Sequence, residues 1–328
     1  MTRTLLLAAA ALALHACSPA AQADETPAAP ATPAPAPAPA PQATAQTDAP
    51  AELSLTVETI RPGLHVLFGA GGNVGVSTGE DGIVLIDDKF SRNAEEILYR
   101  ARTLSRDAGH GEDVLFVLNT HLHGDHTGSN PEMKEAGAMV MAHDNVRARM
   151  GTSYRSEQFD RMQEAKDPSF FPVVTFSDRA SLHFNGVTAH ALHVPAAHTD
   201  GDSLVHFVEP DVIHMGDNLF LGMFPFVDVD SGGNMQGMIE AHDTALAIAG
   251  PDTVIIPGHG PITDADGLRE ARDTLQTILD RVRVAKDSGK SLAQIRAEGL
   301  VDDMSDMSGF IDEDGIVTAA WRSLGGEL

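Results

Sequence analysis

The sequence predicts a layered α/β domain in which two β-sheets pack face to face with helices outside them. Two observations lead to this fold class. Short apolar strands come in runs separated by glycine-rich turns, and helical patterns lie between and after those runs. The chain has 328 residues, enough for one large domain with a substantial core.

The elements follow each other along residues 51–328, which we predict to form this domain. Alternating or continuous apolar residues predict strands, and apolar residues spaced three and four apart predict helices. The segment 181–194 contains Asn185-Gly186, a dipeptide that favours a tight hairpin, and is predicted as two strands. The remaining predicted strands cover 53–60, 64–68, 73–77, 82–87, 114–118, 138–142, 203–208, 212–215 and 253–256. The predicted helices cover 93–104, 131–136, a segment from 145 onward, 235–249 and 264–284.

Residues 1–17 have the pattern of an export signal. Arg3 precedes an apolar stretch, 5–14, that is too short to span a bilayer. The stretch ends in Leu14-His15-Ala16-Cys17, which resembles the lipobox of bacterial lipoprotein signal peptides and implies a lipid anchor on Cys17. The alternative is an ordinary secretory signal that is cut nearby. Both interpretations predict an exported protein on the periplasmic side of a bacterial membrane.

Residues 18–50 are predicted to be a disordered linker. Of these 33 residues, 13 are Ala and 9 are Pro, with almost no apolar bulk to bury. Such a composition favours extended, semi-rigid chain. We expect a spacer that holds the domain away from a membrane surface.

Composition excludes several classes of protein. The chain has 22 Lys and Arg against 47 Asp and Glu, a net charge of -25, which argues against a nucleic-acid partner. Its single cysteine excludes a disulfide scaffold and a cysteine-rich zinc site. Protein partners stay open.

The informative segment is Thr120-His121-Leu122-His123-Gly124-Asp125-His126, directly after the strand predicted at 114–118. A single histidine here would more often be an ordinary polar residue than a ligand. Two histidines at i and i+2 can converge on one ion, and the Asp-His pair that follows can turn towards a second. Further imidazole and carboxylate candidates follow later apolar strands, each beside a glycine or small residue: His198, Asp217 and His259.

The chain resembles the metallo-β-lactamase-fold hydrolases in its motifs and in their order along the sequence. These motifs are the strand 84–87, the H-x-H-x-D-H motif, the later histidine, Gly216-Asp217 and Pro257-Gly258-His259-Gly260. The resemblance covers about 55–325, and Asp217 matches the glyoxalase II-like branch. It implies a single-domain, four-layer αββα sandwich with two zinc ions and no other cofactor. The implied first-zinc ligands are His121, His123 and His198. The implied second-zinc ligands are Asp125, His126 and His259, with Asp217 bridging both ions and Asp87 orienting the metal-binding loop.

The same resemblance implies hydrolysis of an acyl bond in a small molecule. Two zinc ions lower the pKa of a shared water, so that hydroxide becomes available near neutral pH. Asp125 is the expected catalytic residue, which orients the nucleophile and transfers a proton. The candidate bonds are those of an ester, a thioester, a lactone or a lactam.

Three alternatives remain. A periplasmic metallo-β-lactamase would use the same scaffold, but the subclass with a cysteine ligand has Cys at the position of Asp217 and Lys where Phe220 stands. A persulfide dioxygenase-like oxidoreductase would use one iron, and a non-catalytic surface protein would only bind metal. The apolar segment 219–229 is either a wall over the metals or a buried strand.

Overall fold

The computed structural model describes residues 53–327. The predicted signal peptide with Cys17 and the Ala/Pro-rich linker 18–50 lie outside the described residues. Within 53–327, none of the helices combines the length and apolar character needed to cross a bilayer.

Within the described residues, fourteen strands form two large sheets and one small hairpin. In chain order they are β1 (Thr56–Arg61), β2 (Leu64–Phe68), β3 (Val74–Gly79), β4 (Gly82–Ile86), β5 (Val114–Leu118), β6 (Met139–His143), β7 (Tyr154–Ser156), β8 (Arg161–Gln163), β9 (Val174–Phe176), β10 (Arg179–Phe184), β11 (Val187–His193), β12 (Ser203–Phe207), β13 (Val212–His214) and β14 (Val254–Ile256).

The first sheet has the order β1-β2-β3-β4-β5-β6-β9, and the second has the order β10-β11-β12-β13-β14. An antiparallel meander over β1–β4 continues into parallel pairing from β4 to β9. The second sheet is antiparallel until β14 joins parallel to β13. Strands β7 and β8 pair only with each other.

Over residues 53–327, eight α-helices accompany the sheets. They are α1 (Ala94–Asp107), α2 (Gly124–Thr127), α3 (Asn130–Glu135), α4 (Asp144–Met150), α5 (Met235–Ile248), α6 (Ala265–Asp287), α7 (Leu292–Ala297) and α8 (Glu313–Ser323).

The side chains of β4 show how the layers are built. Ile83 and Leu85 pack with Ile97 of α1 on the outer face of the first sheet. Val84 and Ile86 point the other way, into the core between the two sheets. Because a strand buried on both faces needs apolar residues throughout, its sequence is a continuous apolar run.

Helices cover the outer face of the second sheet in the same way. Met238 of α5 and Ile278 of α6 pack with Ile213 and Ile255 from the sheet. The layers are therefore helix, sheet, sheet and helix, which confirms the predicted αββα sandwich.

The long predicted elements agree with the structure to within a few residues, and the hairpin at Asn185-Gly186 is present. Both turn residues have positive φ, 51° and 71°, the conformation for which this dipeptide is suited. The sequence did not predict α7, α8 or the three-residue strands β7, β8 and β9. Strands this short contain too few residues for alternation to be visible.

Candidate metal centre

The predicted ligands lie in loops and short helical turns that follow strands at one edge of the two sheets. In the first sheet β4 and β5 are parallel, so Asp87 and the segment 120–126 emerge side by side. In the second sheet β11, β13 and β14 run in the same direction and lead into the three later ligands. The structure brings all seven predicted ligand residues together: His121, His123, Asp125, His126, His198, Asp217 and His259.

The first donor group contains His121, His123, His198 and Asp217, whose ligand atoms all lie within 4.8 Å of one another. Asp217 Oδ2 is 3.7 Å from His121 Nε2 and 3.6 Å from His198 Nε2. His198 Nε2 also faces His123 Nδ1 at 2.8 Å. The group is buried except for His123, which is half-buried beside a cavity.

The second group contains Asp125, His126 and His259. Asp125 Oδ2 is 3.8 Å from His126 Nε2 and 3.4 Å from His259 Nε2. Asp217 lies between the two groups, because its Oδ2 is 3.4 Å from His259 Nε2 and its Oδ1 is 3.0 Å from His126 Nε2.

The arrangement of these side chains suits coordination of metal ions better than hydrogen bonding among the side chains themselves. His121 Nε2, His126 Nε2 and Asp217 Oδ1 are buried and form no well-aligned hydrogen bond among the described residues, although the last two atoms lie 3.0 Å apart. Buried polar atoms are rarely left unpaired. Two ligands on one tetrahedral zinc lie about 3.3 Å apart, close to the 3.4–3.8 Å separations that several of these atoms show. Imidazole nitrogen and carboxylate oxygen are donors that divalent metals of the zinc type accept.

Asp87 links two of the ligands from behind. Its Oδ2 contacts His126 Nδ1 at 2.7 Å and accepts a hydrogen bond from Thr120 Oγ1, while its Oδ1 accepts from Thr120 N. Thr120 Oγ1 in turn lies 3.0 Å from His121 Nδ1. Such outer hydrogen bonds orient an imidazole and select its tautomer. Asp87 thus contacts one predicted ligand directly and reaches a second through Thr120, and its orienting role stays a prediction.

Asp228 has the same relation to His123 and was not predicted from the sequence. Its Oδ2 contacts His123 Nε2 at 2.9 Å, which leaves Nδ1 facing His198 and the rest of the first donor group. The residue lies near the end of the segment 219–229, and nothing in the sequence singled it out from the apolar residues around it.

The remaining imidazoles are held by the segment 219–229. His198 Nδ1 contacts the carbonyl oxygen of Phe226 at 2.7 Å, and the ring of His259 stacks on Phe220 with the ring centroids 4.9 Å apart. The segment is not a strand. Leu219, Phe224 and Val227 are buried in the core, whereas Phe220 and Phe226 line the cavity, so it is both a wall beside the centre and part of the core.

Burial and charge act in opposite directions on the ionisable groups of the centre. Burial lowers the pKa of His198 to about 4 despite the nearby Asp217 carboxylate. Burial also lowers the pKa of His259, but the carboxylates of Asp217 and Asp125 outweigh it and raise that pKa to about 9. Burial alone would raise the pKa of Asp125, but His126 and His259 hold it below its usual value. The same two histidines also hold the pKa of the Asp217 carboxyl well below its usual value against the effect of burial. The carboxylates of Asp125 and Asp217 are therefore both ionised at neutral pH.

Two glycines allow this close packing. A Cβ atom on Gly72 would lie 2.0 Å from the His126 ring, and one on Gly258 would lie 2.1 Å from Asp217 Oδ1. Neither position has room for a larger residue unless a ligand moves.

A cavity of about 760 Å³ opens onto the centre. Of the two central carboxylates, Asp125 reaches it more freely, since its side chain is 23% exposed and that of Asp217 is 4% exposed. Leu122, His123 and His259 also line the cavity, together with aromatic residues from four separate segments.

Comparisons with known proteins agree with this geometry. The model of the metallo-beta-lactamase superfamily matches residues 68–259. The lactamase-like protein aptB of Emericella nidulans is 25% identical over 189 residues, which are 57% of this chain and 52% of that protein. The chain thus spans about half the length of this curated relative.

Two solved structures illustrate the similarity of fold. A metallo-beta-lactamase from Pontibacter korlensis is 18% identical with a TM-score of 0.55, over 68% of this chain and 99% of its own. The stereoselective inverting sec-alkylsulfatase Pisa1 from Pseudomonas sp. is also 18% identical, with a TM-score of 0.59 over 83% of this chain and 50% of its own. At these identities the likeness concerns the fold alone.

The family match covers more than half of the chain and includes the loops that carry the histidine and aspartate cluster. On this sequence match, the αββα sandwich and the donor geometry, the chain belongs to the metallo-beta-lactamase superfamily of metal-dependent hydrolases.

Proposed function

We propose that this protein is an exported dinuclear zinc hydrolase that cleaves an acyl bond of a small molecule. One observation carries the proposal. Two donor groups meet at Asp217, and buried atoms in both of them form no hydrogen bond within residues 53–327.

The donor set supports two ions of the zinc type. Five imidazoles and two carboxylates divide into groups that can each surround one ion while leaving positions open towards the cavity. A persulfide dioxygenase-like enzyme with a single iron would leave the second group without a role. We therefore favour hydrolysis over that oxidoreductase.

When bound, the two metals would supply Lewis acidity and lower the pKa of a coordinated water. The chain supplies the proton chemistry. Asp125 reaches the cavity and contacts His259, so its carboxylate can orient the attacking water and accept its proton. The more buried Asp217 is held between the two groups, which suits a bridging ligand better than a base that exchanges protons.

Metal analysis combined with a substrate panel tests the proposal. We expect about two zinc ions per chain and hydrolysis of at least one of an aryl ester, a thioester, a lactone and nitrocefin. Asp125→Asn should lower kcat by about 100-fold or more, with zinc content measured alongside, and the exposed Asp306→Asn serves as the control. One iron per chain with oxygen uptake, or no hydrolysis by the zinc-loaded protein, would refute the proposal.

A periplasmic metallo-β-lactamase is the second candidate. Solved metallo-beta-lactamases superpose over 97–99% of their own length. One difference argues against the cysteine-ligand subclass. That subclass has a substrate-binding lysine at the position of Phe220, whose ring here stacks on His259. Rapid hydrolysis of nitrocefin beside slow ester hydrolysis would favour this candidate.

A further inference from the structure

One wall of the cavity beside the metal centre is built from phenylalanines that are distant in sequence. Phe159 lies in the turn between β7 and β8, Phe226 in the segment beside His198, and Phe310 before α8. Their ring centroids are 5.4 to 6.1 Å apart. Phe310 is 74% exposed, an unusual position for an aromatic ring that serves only the core. The three rings form an apolar wall from the metal centre to the cavity mouth.

Lys166 lies on another side of the same cavity. A Cβ atom on Gly124 would be 3.4 Å from Lys166 Nζ, so the ammonium packs against the backbone between His123 and Asp125. The nearby Lys134 donates hydrogen bonds to the carbonyl oxygens of Ser169 and Phe171. The Lys166 ammonium forms no hydrogen bond or salt bridge within 53–327, and it lies over the Phe170 ring at 5.3 Å from the ring centroid.

The other cations of the cavity are placed differently. Arg149 forms a two-point ion pair with Asp200, at 2.5 and 2.6 Å. Arg161 is exposed at the β7–β8 hairpin and lies over the Phe159 ring. Among the cations that line the cavity, Lys166 is thus the one that lies against the metal-binding loop. It forms no salt bridge within the described residues, although the Asp125 carboxylate is near enough to favour its charged form.

We infer that the substrate is an amphiphilic acyl compound, whose anionic group near the scissile bond binds the Lys166 ammonium while its apolar chain lies along the Phe159–Phe226–Phe310 wall. This inference rests on the proposed acyl-hydrolase function and deepens it. An anion can bind here although the chain is acidic overall, because recognition depends on the local charges. An ammonium that has lost part of its hydration gains most from a charged acceptor, and a methylene chain gains from an aromatic surface.

Four esters with the same scissile bond separate the two contacts. They are the acetyl and hexanoyl esters of phenol and of 3-hydroxybenzoate. The zinc-loaded full-length enzyme should prefer the carboxylated esters over the neutral ones and hexanoyl over acetyl. In Lys166→Met the carboxylate preference in kcat/KM should fall by about 10-fold or more, with partial rescue in Lys166→Arg. In Phe159→Ser/Phe310→Ser the chain-length preference should fall by about 3-fold or more.

Matched controls lie outside the cavity. Lys290→Met removes a surface ammonium that pairs with Glu298, and Val284→Ser removes an apolar side chain that is 71% exposed on α6. Neither should change either preference. Equal loss of both preferences in Lys166→Met, or no change in them, would overturn the inference while leaving acyl hydrolysis standing.

Binding measurements keep the two proposals distinct. Calorimetry with the amide analogues 3-hexanamidobenzoate and hexananilide reports on recognition without turnover. Tighter binding of the carboxylated amide to the wild type, by about 10-fold or more and lost in Lys166→Met, would support the inference even if no ester were cleaved. Equal binding of the two amides would refute it even if all four esters were cleaved.

Discussion

Replacing Asp228 with Asn should weaken metal binding without removing a metal ligand. Asp228 Oδ2 contacts His123 Nε2 at 2.9 Å, so that the proton on this imidazole stays at Nε2 and Nδ1 faces the donor group. The Asn Oδ1 can still accept the hydrogen bond from Ser231 N that Asp228 Oδ1 accepts at 3.0 Å. Its amide NH₂ then faces Nε2, which favours the tautomer whose proton is on Nδ1, the atom needed for coordination.

The size of the effect follows from this conflict. Loss of an outer hydrogen bond to a metal-bound histidine typically costs about 10–100-fold in metal affinity, or about 1.4 to 2.8 kcal/mol. The interaction between His123 and Asp228 also affects the pKa of each residue. Burial lowers its pKa, but the hydrogen bond and charge of Asp228 outweigh burial and raise it. In the other direction, Asp228 has its pKa lowered to about 2, against the effect of burial, by the same contact.

Competition with a chromogenic chelator measures zinc affinity, and circular dichroism checks that the variant is folded. Asp230→Asn is the matched control, because that carboxylate accepts hydrogen bonds from Arg322, the Ser156 hydroxyl and the backbone N–H groups of 157–158 rather than contacting a histidine. Unchanged zinc affinity in Asp228→Asn, or an equal loss in Asp230→Asn, would show that Asp228 does not position His123.

Three further changes test other parts of the molecule. His259→Ala should remove chiefly one of two zinc ions, as measured by elemental analysis, and unchanged zinc content would contradict its role. Cys17→Ser should move the protein from the membrane to the soluble fraction, whereas continued membrane association would exclude the lipid anchor. Burial lowers the pKa of His242 from 6.5 to about 4. As the pH falls, His242 is therefore protonated in the unfolded chain before it is protonated in the folded protein, and this favours unfolding. The stability that neutral His242 contributes is fully present above about pH 6.5 and is lost as the pH falls towards 4. The free energy of unfolding should be lower by about 2 kcal/mol at pH 5. His242→Gln should reduce this acid sensitivity in metal-free protein, as measured by denaturant unfolding at pH 7.5 and pH 5, and an unchanged pH dependence would refute the account.

Much of the fold could be predicted because burial leaves a pattern in the sequence. Strand β4 is apolar at Ile83, Val84, Leu85 and Ile86 because the two cores take alternate residues. The turn at Asn185-Gly186 was visible because few residue pairs adopt its backbone conformation readily. The hairpin β7–β8 had no such signal, since its strands have three residues each and much of it is exposed.

The candidate site divides in the same way. His121, His198 and His259 could be proposed because each follows an apolar strand and belongs to a motif with a known order. Asp228 and Lys166 could not, since each lies in irregular chain and meets the centre only through tertiary packing. Asp228 is 105 residues from the histidine it contacts. Propensity and periodicity describe local chain, and neither reports a contact over that distance.

The distribution of the donors over both sheets has a mechanical consequence. Four ligands follow β5 of one sheet, while His198, Asp217 and His259 belong to the other. A cation bound by ligands from both sheets would therefore cross-link the two sheets of the sandwich. A chain with a single cysteine cannot form an internal disulfide, so coordination bonds would be its means of cross-linking. Removal of the metal ions by a chelator should then weaken the contacts between the two sheets at this edge before either sheet unfolds.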